Sequence, residues 1–337
     1  MRPDSSVPPS DQPLASQPGG TPSGLLASRR LRGVLLVVTS AIAFGIAGPC
    51  SKAALAAAGH DLTPLRLTEF RVTAAAVVLQ LIVLIRRRPT AIRWNRALCA
   101  IVAAYGLIAF VTVQALYFVA ISRMPVGVAL LIEYLAPALV ALWVVVVQHR
   151  RQPWTTWAGV VLTLVGLAFI ARPWEHFTLD GVGVTAALIA AFALAAYFIL
   201  AESAGGRIEP VPLCAWAATV GAVALAIGQP WWTFPWPVLS HRAQLHGRLV
   251  PVWTLLILVV LVGTVLAYLT GIAALTYLPA PAVAVLATLE VVVASATAWI
   301  LLGEQLSGFD IGGGVVLLVG AALAQRRSPT ASVQIPS

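Results

Sequence analysis

Hydrophobic positions in this chain neither alternate nor recur on one face. They come in unbroken runs separated by short polar punctuation. A helix needs about 20 mostly apolar residues to cross the hydrocarbon core of a bilayer. Ten such runs can be read, over 33–54, 66–85, 97–121, 125–147, 154–171, 182–201, 212–227, 252–274, 279–302 and 309–325. The pattern predicts an all-α integral membrane protein with ten transmembrane helices. Composition agrees, with 60% hydrophobic and 10% charged residues and a mean hydropathy of +0.92, well outside the range of soluble domains. Residues 1–32, rich in Pro, Ser, Gly and Gln, are expected to form a disordered cytoplasmic tail, and they lack the pattern of a cleavable signal. Residues 328–337 form a second cytoplasmic tail.

The polar punctuation repeats. MPVGVALLIEYLAPAL at 124–139 resembles LPAPAVAVLATLEVVV at 278–293, and adding 154 carries Pro125 to Pro279, Gly159 to Gly313, Gly166 to Gly320 and Arg172 to Arg326 without a gap. That interval holds five spans, an odd number, so the second copy enters the bilayer from the opposite face. The expected architecture is two inverted five-helix repeats, residues 33–172 and 173–327, around a central cavity. Inverted repeats mark secondary transporters, whose substrate sites lie near the midplane between the halves. The glycine pairs put a smooth stripe on the fifth and tenth helices, which predicts close helix contact, either within the monomer or in a homodimer.

A formal net charge of +9 raises the question of nucleic acid. No basic, aromatic-interleaved soluble face exists to carry such binding, and the charge follows topology instead. With the N terminus inside, Arg29, Arg30, Arg32, Arg86, Arg87, Arg88, Arg93, Arg96, Arg150, Arg151, Arg207, Arg326 and Arg327 are cytoplasmic, against Arg66, Arg123, Arg172, Arg242 and Arg248 outside. This asymmetry predicts that both termini are cytoplasmic. Residues 228–251 then form one long outer loop, whose tryptophans suit the headgroup belt of membrane lipid; an aromatic binding lid is the alternative. Cys50, Cys99 and Cys214 have no metal-ligand spacing and read as small packing residues.

An ionisable group inside a span costs about 2.5 kcal/mol or more, so each should face a cavity, a partner or water. Glu133 lies eight residues past Pro125 and Glu290 eleven past Pro279, or about 12 and 16 Å along a helix. Both are therefore deep, and they approach from opposite sides. Ala136, the counterpart of Glu290, is three residues from Glu133 and near the same helix face. Each glutamate is a candidate proton or substrate site, with a structural carboxyl that pins helices as the alternative. Pro137, one turn beyond Glu133, is expected to kink its helix and free a carbonyl. Gln114 and Tyr117 share a face, Gln114 plus 154 is Tyr268, and both can line one cavity with Tyr197. Lys52, the single lysine, is a further candidate, although a snorkelling cation is the simpler account. Glu69 and Arg71 read first as a local ion pair, with a substrate clamp or a partner for Lys52 as alternatives. Glu304 reads as a turn residue, and Glu202 and Arg207 as solvated. Nothing resembles a nucleophile and base pair, a phosphate loop or a metal set, so neither an enzyme nor a cofactor is expected.

Three stretches, QALYFVAISRMPVGVALLIEYLAP at 114–137, AAYFILAESAG at 195–205 and LEVVVASATAWILLGEQLS at 289–307, resemble the EamA-type carriers of the drug/metabolite transporter superfamily. Within it the sequence is most similar to the threonine/homoserine exporter branch. The resemblance implies a multi-pass protein of the bacterial plasma membrane that exports amino acids or related small-molecule substrates as a proton-coupled carrier, with Glu133 in the branch's glutamate position. Gln114 stands where the branch often has asparagine. Val291 replaces the proline that usually follows the second glutamate, so no kink is required beside Glu290. Efflux of cationic drugs, or an accessory role without transport, are the competing functions.

Overall fold

The computed structural model describes residues 22–86, 94–121, 123, 126–174, 180–204, 207–303 and 305–325. Among them, nine helical runs are long and apolar enough to cross a bilayer, from Ser28–Ala58 to Ala280–Leu302, and a shorter apolar helix, Gly308–Ala324, is the tenth. Spans one and two are α1 (Pro22–Ala58) and α2 (Pro64–Ile85). The third joins α3 (Arg96–Tyr105) through a π-helical stretch, Gly106–Thr112, to α4 (Val113–Ile121), and the fourth is α5 (Val126–Glu133) plus α6 (Ala136–Val146). Spans five to seven are α7 (Trp154–Ala171), α8 (Gly181–Ala204) and α9 (Pro210–Gly228). The eighth joins α10 (Val252–Val260) through a second π-helical stretch, Leu261–Leu266, to α11 (Ala267–Ala274). The ninth is α12 (Ala280–Ala287) plus α13 (Leu289–Leu302), and the tenth is α14 (Gly308–Gln325).

The first helix starts at Pro22, inside the stretch expected as a tail. Residues 25–32, LLASRRLR, are mostly good helix formers, and an existing helix extends into such a stretch cheaply. Residues 1–21 and 326–337, with the outer ends of both tails, fall outside the described residues, as do Pro125 and Glu304. Local signals set other starts. Thr63 accepts from the Arg66 N–H at 3.2 Å with Pro64 next in line, Asn95 accepts from Leu98 at 2.8 Å, and Asp180 accepts from Gly183 at 2.8 Å, each an N-cap that satisfies a free helix-end donor.

The repeat is close in the backbone over its last three spans. Shifted by 154, the residues of α5 become those of α12 and the residues of α7 become those of α14; the first π-helical stretch falls on the second, and the break at Tyr134 falls on Thr288. Its inversion is visible where α7 meets α14. A Cβ on Gly166 would lie 2.6 Å from the Gly313 carbonyl, and one on Gly159 would lie 2.7 Å from the Gly320 carbonyl. Gly159 corresponds to Gly313 and Gly166 to Gly320, so each glycine faces the counterpart of its neighbour, across antiparallel helices related by a local twofold. The glycine stripe is thus occupied within one chain, backbone against backbone, as small residues permit in lipid. The outward faces carry large apolar side chains such as Leu84, Phe192 and Ile227, which suits a lipid surround.

Contacts at the span ends follow the same weave. Arg66 of α2 donates to the Pro230 carbonyl at 3.3 Å and to Thr233; Arg123 and Asp180 approach to 3.7 Å; Arg172 pairs with Asp310 at 2.8 Å and donates to Ser307. All three join connections that ten crossings place on one face. On the other face Glu202, read as solvated, accepts from the Ala280 N–H at 3.1 Å and caps α12. The long loop is more ordered than its sequence suggested. It folds into a hairpin of β1 (Arg242–Leu245) and β2 (Arg248–Pro251), turned at His246 and Gly247 with φ of 44° and 78°. Phe234, Val238 and Ala243 are buried against α1 and α10, and Phe234 stacks on Phe70 at 5.5 Å. Trp231 and Trp236 join this aromatic group, while Trp232 remains exposed.

Candidate substrate and proton site

Both interrupted spans place a carboxylate beside their break. Glu133 ends α5, and Glu290 lies in the first turn of α13. The helix termini present opposite ends of their dipoles to the two groups. Glu133 is buried, and Tyr134, in the break itself, donates its hydroxyl to Glu290 Oε2 at 3.0 Å. One side chain of the first repeat therefore bonds the carboxylate of the second. Tyr117 lies within reach of both carboxylate charges. The ninth span breaks without a proline: the Thr288 hydroxyl turns back to the Val285 carbonyl at 2.6 Å, and Val291 N–H bonds the Thr288 carbonyl at 3.1 Å. Gly45 of α1 admits this irregular segment, since a Cβ there would meet the Glu290 carbonyl at 2.9 Å.

An aromatic and amide wall stands beside the carboxylates. Tyr268 donates to the Ala109 carbonyl at 3.1 Å, inside the first π-helical stretch, where widened turns leave carbonyls available. The Tyr268 ring stacks on Phe110 at 4.3 Å and meets Phe44 edge-on at 5.1 Å. Gln114 lies beside the Tyr268 hydroxyl. Tyr197 meets Tyr268 edge-on at 6.1 Å and stacks on Tyr105 at 5.3 Å. Each π-helical stretch also holds a threonine that bonds five residues back, Thr112 to Leu107 and Thr264 to Val259, both at 3.0 Å.

Six of the seven candidate residues, Gln114, Tyr117, Glu133, Tyr197, Tyr268 and Glu290, thus converge on one central cluster. Lys52 does not join it and is exposed near the end of α1. The local pair expected between Glu69 and Arg71 is absent. Glu69 bonds Arg66 at 2.8 Å, three residues away on its own face, whereas residues two apart point to different sides of a helix. Arg71 turns inward and is buried, close enough for its charge to act on Tyr268 and Glu290. That spacing rule is the signal by which Arg71 was legible. Tyr134 was legible only as the neighbour of Glu133.

Two copies of one family model, the EamA-like transporter family, match residues 31–172 and 181–325. The chain belongs to that family and is a multi-pass membrane transporter, not an enzyme. Among curated proteins it is similar to the threonine/homoserine exporter RhtA of Salmonella typhimurium (strain LT2), 27% identical over 218 residues, covering 64% of this chain and 68% of the relative. RhtA of Escherichia coli (strain K12) is 26% identical over 220 residues, covering 65% and 67%. Among solved structures, a crystal structure is similar with a TM-score of 0.66 at 18% identity, covering 88% of this chain and 98% of that one, a likeness of fold alone.

Proposed function

We propose that the protein is a proton-coupled secondary exporter of amino acids or related small metabolites, resident in the bacterial plasma membrane with both termini cytoplasmic. The observation that carries this reading is the pair of carboxylates at equivalent helix breaks, Glu133 buried and Glu290 half-buried, with Tyr134 of the first break bonding Glu290 at 3.0 Å. Interrupted helices between inverted repeats are where secondary transporters bind substrate and coupling ion. In this account the two halves rock about the cluster, and Glu133 gives up or takes a proton, or pairs with a substrate ammonium, as access alternates. Gln114, Tyr117, Tyr197 and Tyr268 line the site. The similarity to threonine/homoserine exporters supports amino acids as substrates, and the arginine asymmetry supports the orientation.

The test is efflux from proteoliposomes loaded with threonine or homoserine under an imposed pH gradient. The account expects the gradient to accelerate efflux and dissipation of the gradient to remove that acceleration. Gradient-driven movement of a lipophilic cation, with no movement of either amino acid, would instead favour drug efflux. The buried Arg71 weighs against that second reading, because its charge repels a cation from the aromatic wall. Reporter fusions at positions 90 and 240 test the orientation: an externally active reporter at 90 would invert it.

A further inference from the structure

Arg71 is buried with part of its guanidinium unpartnered. It is only 9% exposed, and its Nε and Nη2 have no hydrogen-bond partner among the described residues. A buried guanidinium with unpaired donors is costly, and replacement by an apolar group is often neutral or stabilising. The other half has made that exchange. Counted from the proline that opens each helix, Pro64 of α2 and Pro210 of α9, the place of Arg71 is taken by Ala217, which is fully buried. The neighbours of Arg71 on α2 are engaged elsewhere: Glu69 with Arg66, and Phe70 with Trp231 and Phe234 of the outer loop. Arg71 is left close enough for its charge to act on Tyr268 and Glu290.

The two unpaired groups are informative as a pair. Nε–H and the adjacent Nη2–H share one edge of the guanidinium, and that edge matches both oxygens of a single carboxylate in a bidentate grip. Building on the export reading above, the geometry points to Arg71 as the residue that binds the substrate carboxylate, while the substrate ammonium turns to Glu133 and Glu290. The site therefore takes a zwitterion, its carboxylate on Arg71 and its ammonium toward the two glutamates, and the aromatic wall faces the side chain. Solvent does not reach Nε or Nη2 in the present conformation, so the grip forms as the cavity opens to one side and closes over the substrate.

The test is ligand-dependent thermal stabilisation of the purified full-length protein by three probes: threonine, the same molecule without its carboxylate (1-amino-2-propanol) and the same molecule without its amine (3-hydroxybutyrate). The wild type should respond to threonine, less to 3-hydroxybutyrate and least to the amine. Arg71→Gln should raise the half-saturating threonine concentration by about tenfold or more, the usual loss for hydrogen bonds to a charged group. It should also abolish the response to 3-hydroxybutyrate and leave that to the amine unchanged. Arg71→Lys should recover only part, since an ammonium lacks the two-donor edge; it carries the same comparison should Arg71→Gln not fold. Threonine binding by Arg71→Gln and Arg71→Lys at wild-type strength would overturn the inference, as would a wild type that binds no carboxylate probe. Arg71-dependent binding of 3-hydroxybutyrate without threonine would uphold Arg71 and reject amino acids as substrates. Equal binding of threonine and amine, insensitive to both substitutions, would reject Arg71 and leave the export reading standing.

Discussion

The fourth span breaks at Tyr134 and the ninth at Thr288, positions 154 residues apart, yet only the fourth has a proline behind its break, Pro137 against Val291. The backbone of the two copies is the same, and the chemistry hung on it is not. Glu133 corresponds to Ala287, Ala136 to Glu290, Gln114 to Tyr268 and Tyr134 to Thr288. On the proposed transport cycle, the symmetric part, with its π-helical stretches, broken spans and glycine crossing, is what two rocking halves would share, and the asymmetric part is what one substrate, itself without a twofold, would require. The irregular turn therefore belongs to the fold, and proline is one way among others to accommodate it.

The sharpest way to break the comparison is at the crossing of α7 and α14. Gly166→Ala should destabilise by about 1–3 kcal/mol as overpacking does, because the new Cβ would lie 2.6 Å from both the Gly313 carbonyl and the Leu317 nitrogen. Gly313→Ala should cost a similar amount. Gly312→Ala, with no atom within 4 Å of its new Cβ, is the control and should be near neutral. Thermal unfolding in detergent reads all three, and a neutral Gly166→Ala would mean the crossing is looser than described.

Next in size is the bond between the copies. Tyr134→Phe removes the donor to Glu290, and a hydrogen bond to a charged group contributes about 1.5–3 kcal/mol. The variant should unfold at lower temperature and shift the pH dependence of transport. Tyr268→Phe loses a neutral bond to the Ala109 carbonyl, typically worth about 0.5–1.5 kcal/mol, and should lower stability less. The smallest effect is expected of Pro137→Ala. If the turn belongs to the fold, a structure of the variant should keep the break at Tyr134, as the ninth span keeps its own without a proline. A continuous helix through residues 126–146 would show that the two copies break for different reasons.

The spans and their inversion were legible because bilayer thickness imposes a length and an odd count of crossings imposes a direction. Glu133, Glu290, Gln114, Tyr117, Tyr197 and Tyr268 were legible because polar groups in apolar runs have few places to go. Four things were not read. The π-helical stretches carry no local residue signature; their cause is the tertiary approach of neighbours, such as the Ala217 carbonyl that a Cβ on Gly106 would meet at 2.5 Å. The break at Thr288 lacks the proline that announced its counterpart. Arg71 was paired with Glu69 by proximity in sequence, although helix geometry separates residues two apart and joins Arg66 to Glu69. The outer hairpin was missed for a similar reason: its His246-Gly247 turn sat in a segment read only for its tryptophans.

The central claim is that Glu133 exchanges a proton during transport rather than merely tying helices together. Glu133→Gln keeps nearly the same shape and still hydrogen-bonds, but cannot take part in a proton cycle. The decisive measurement is the pH dependence of amino-acid transport by the purified variant in proteoliposomes, beside a thermal unfolding scan. The account predicts an unfolding temperature close to that of the wild type, loss of gradient-driven transport and a flattened pH profile. Gradient-driven transport at the wild-type rate, with a lowered unfolding temperature, would contradict it and make Glu133 a structural tie.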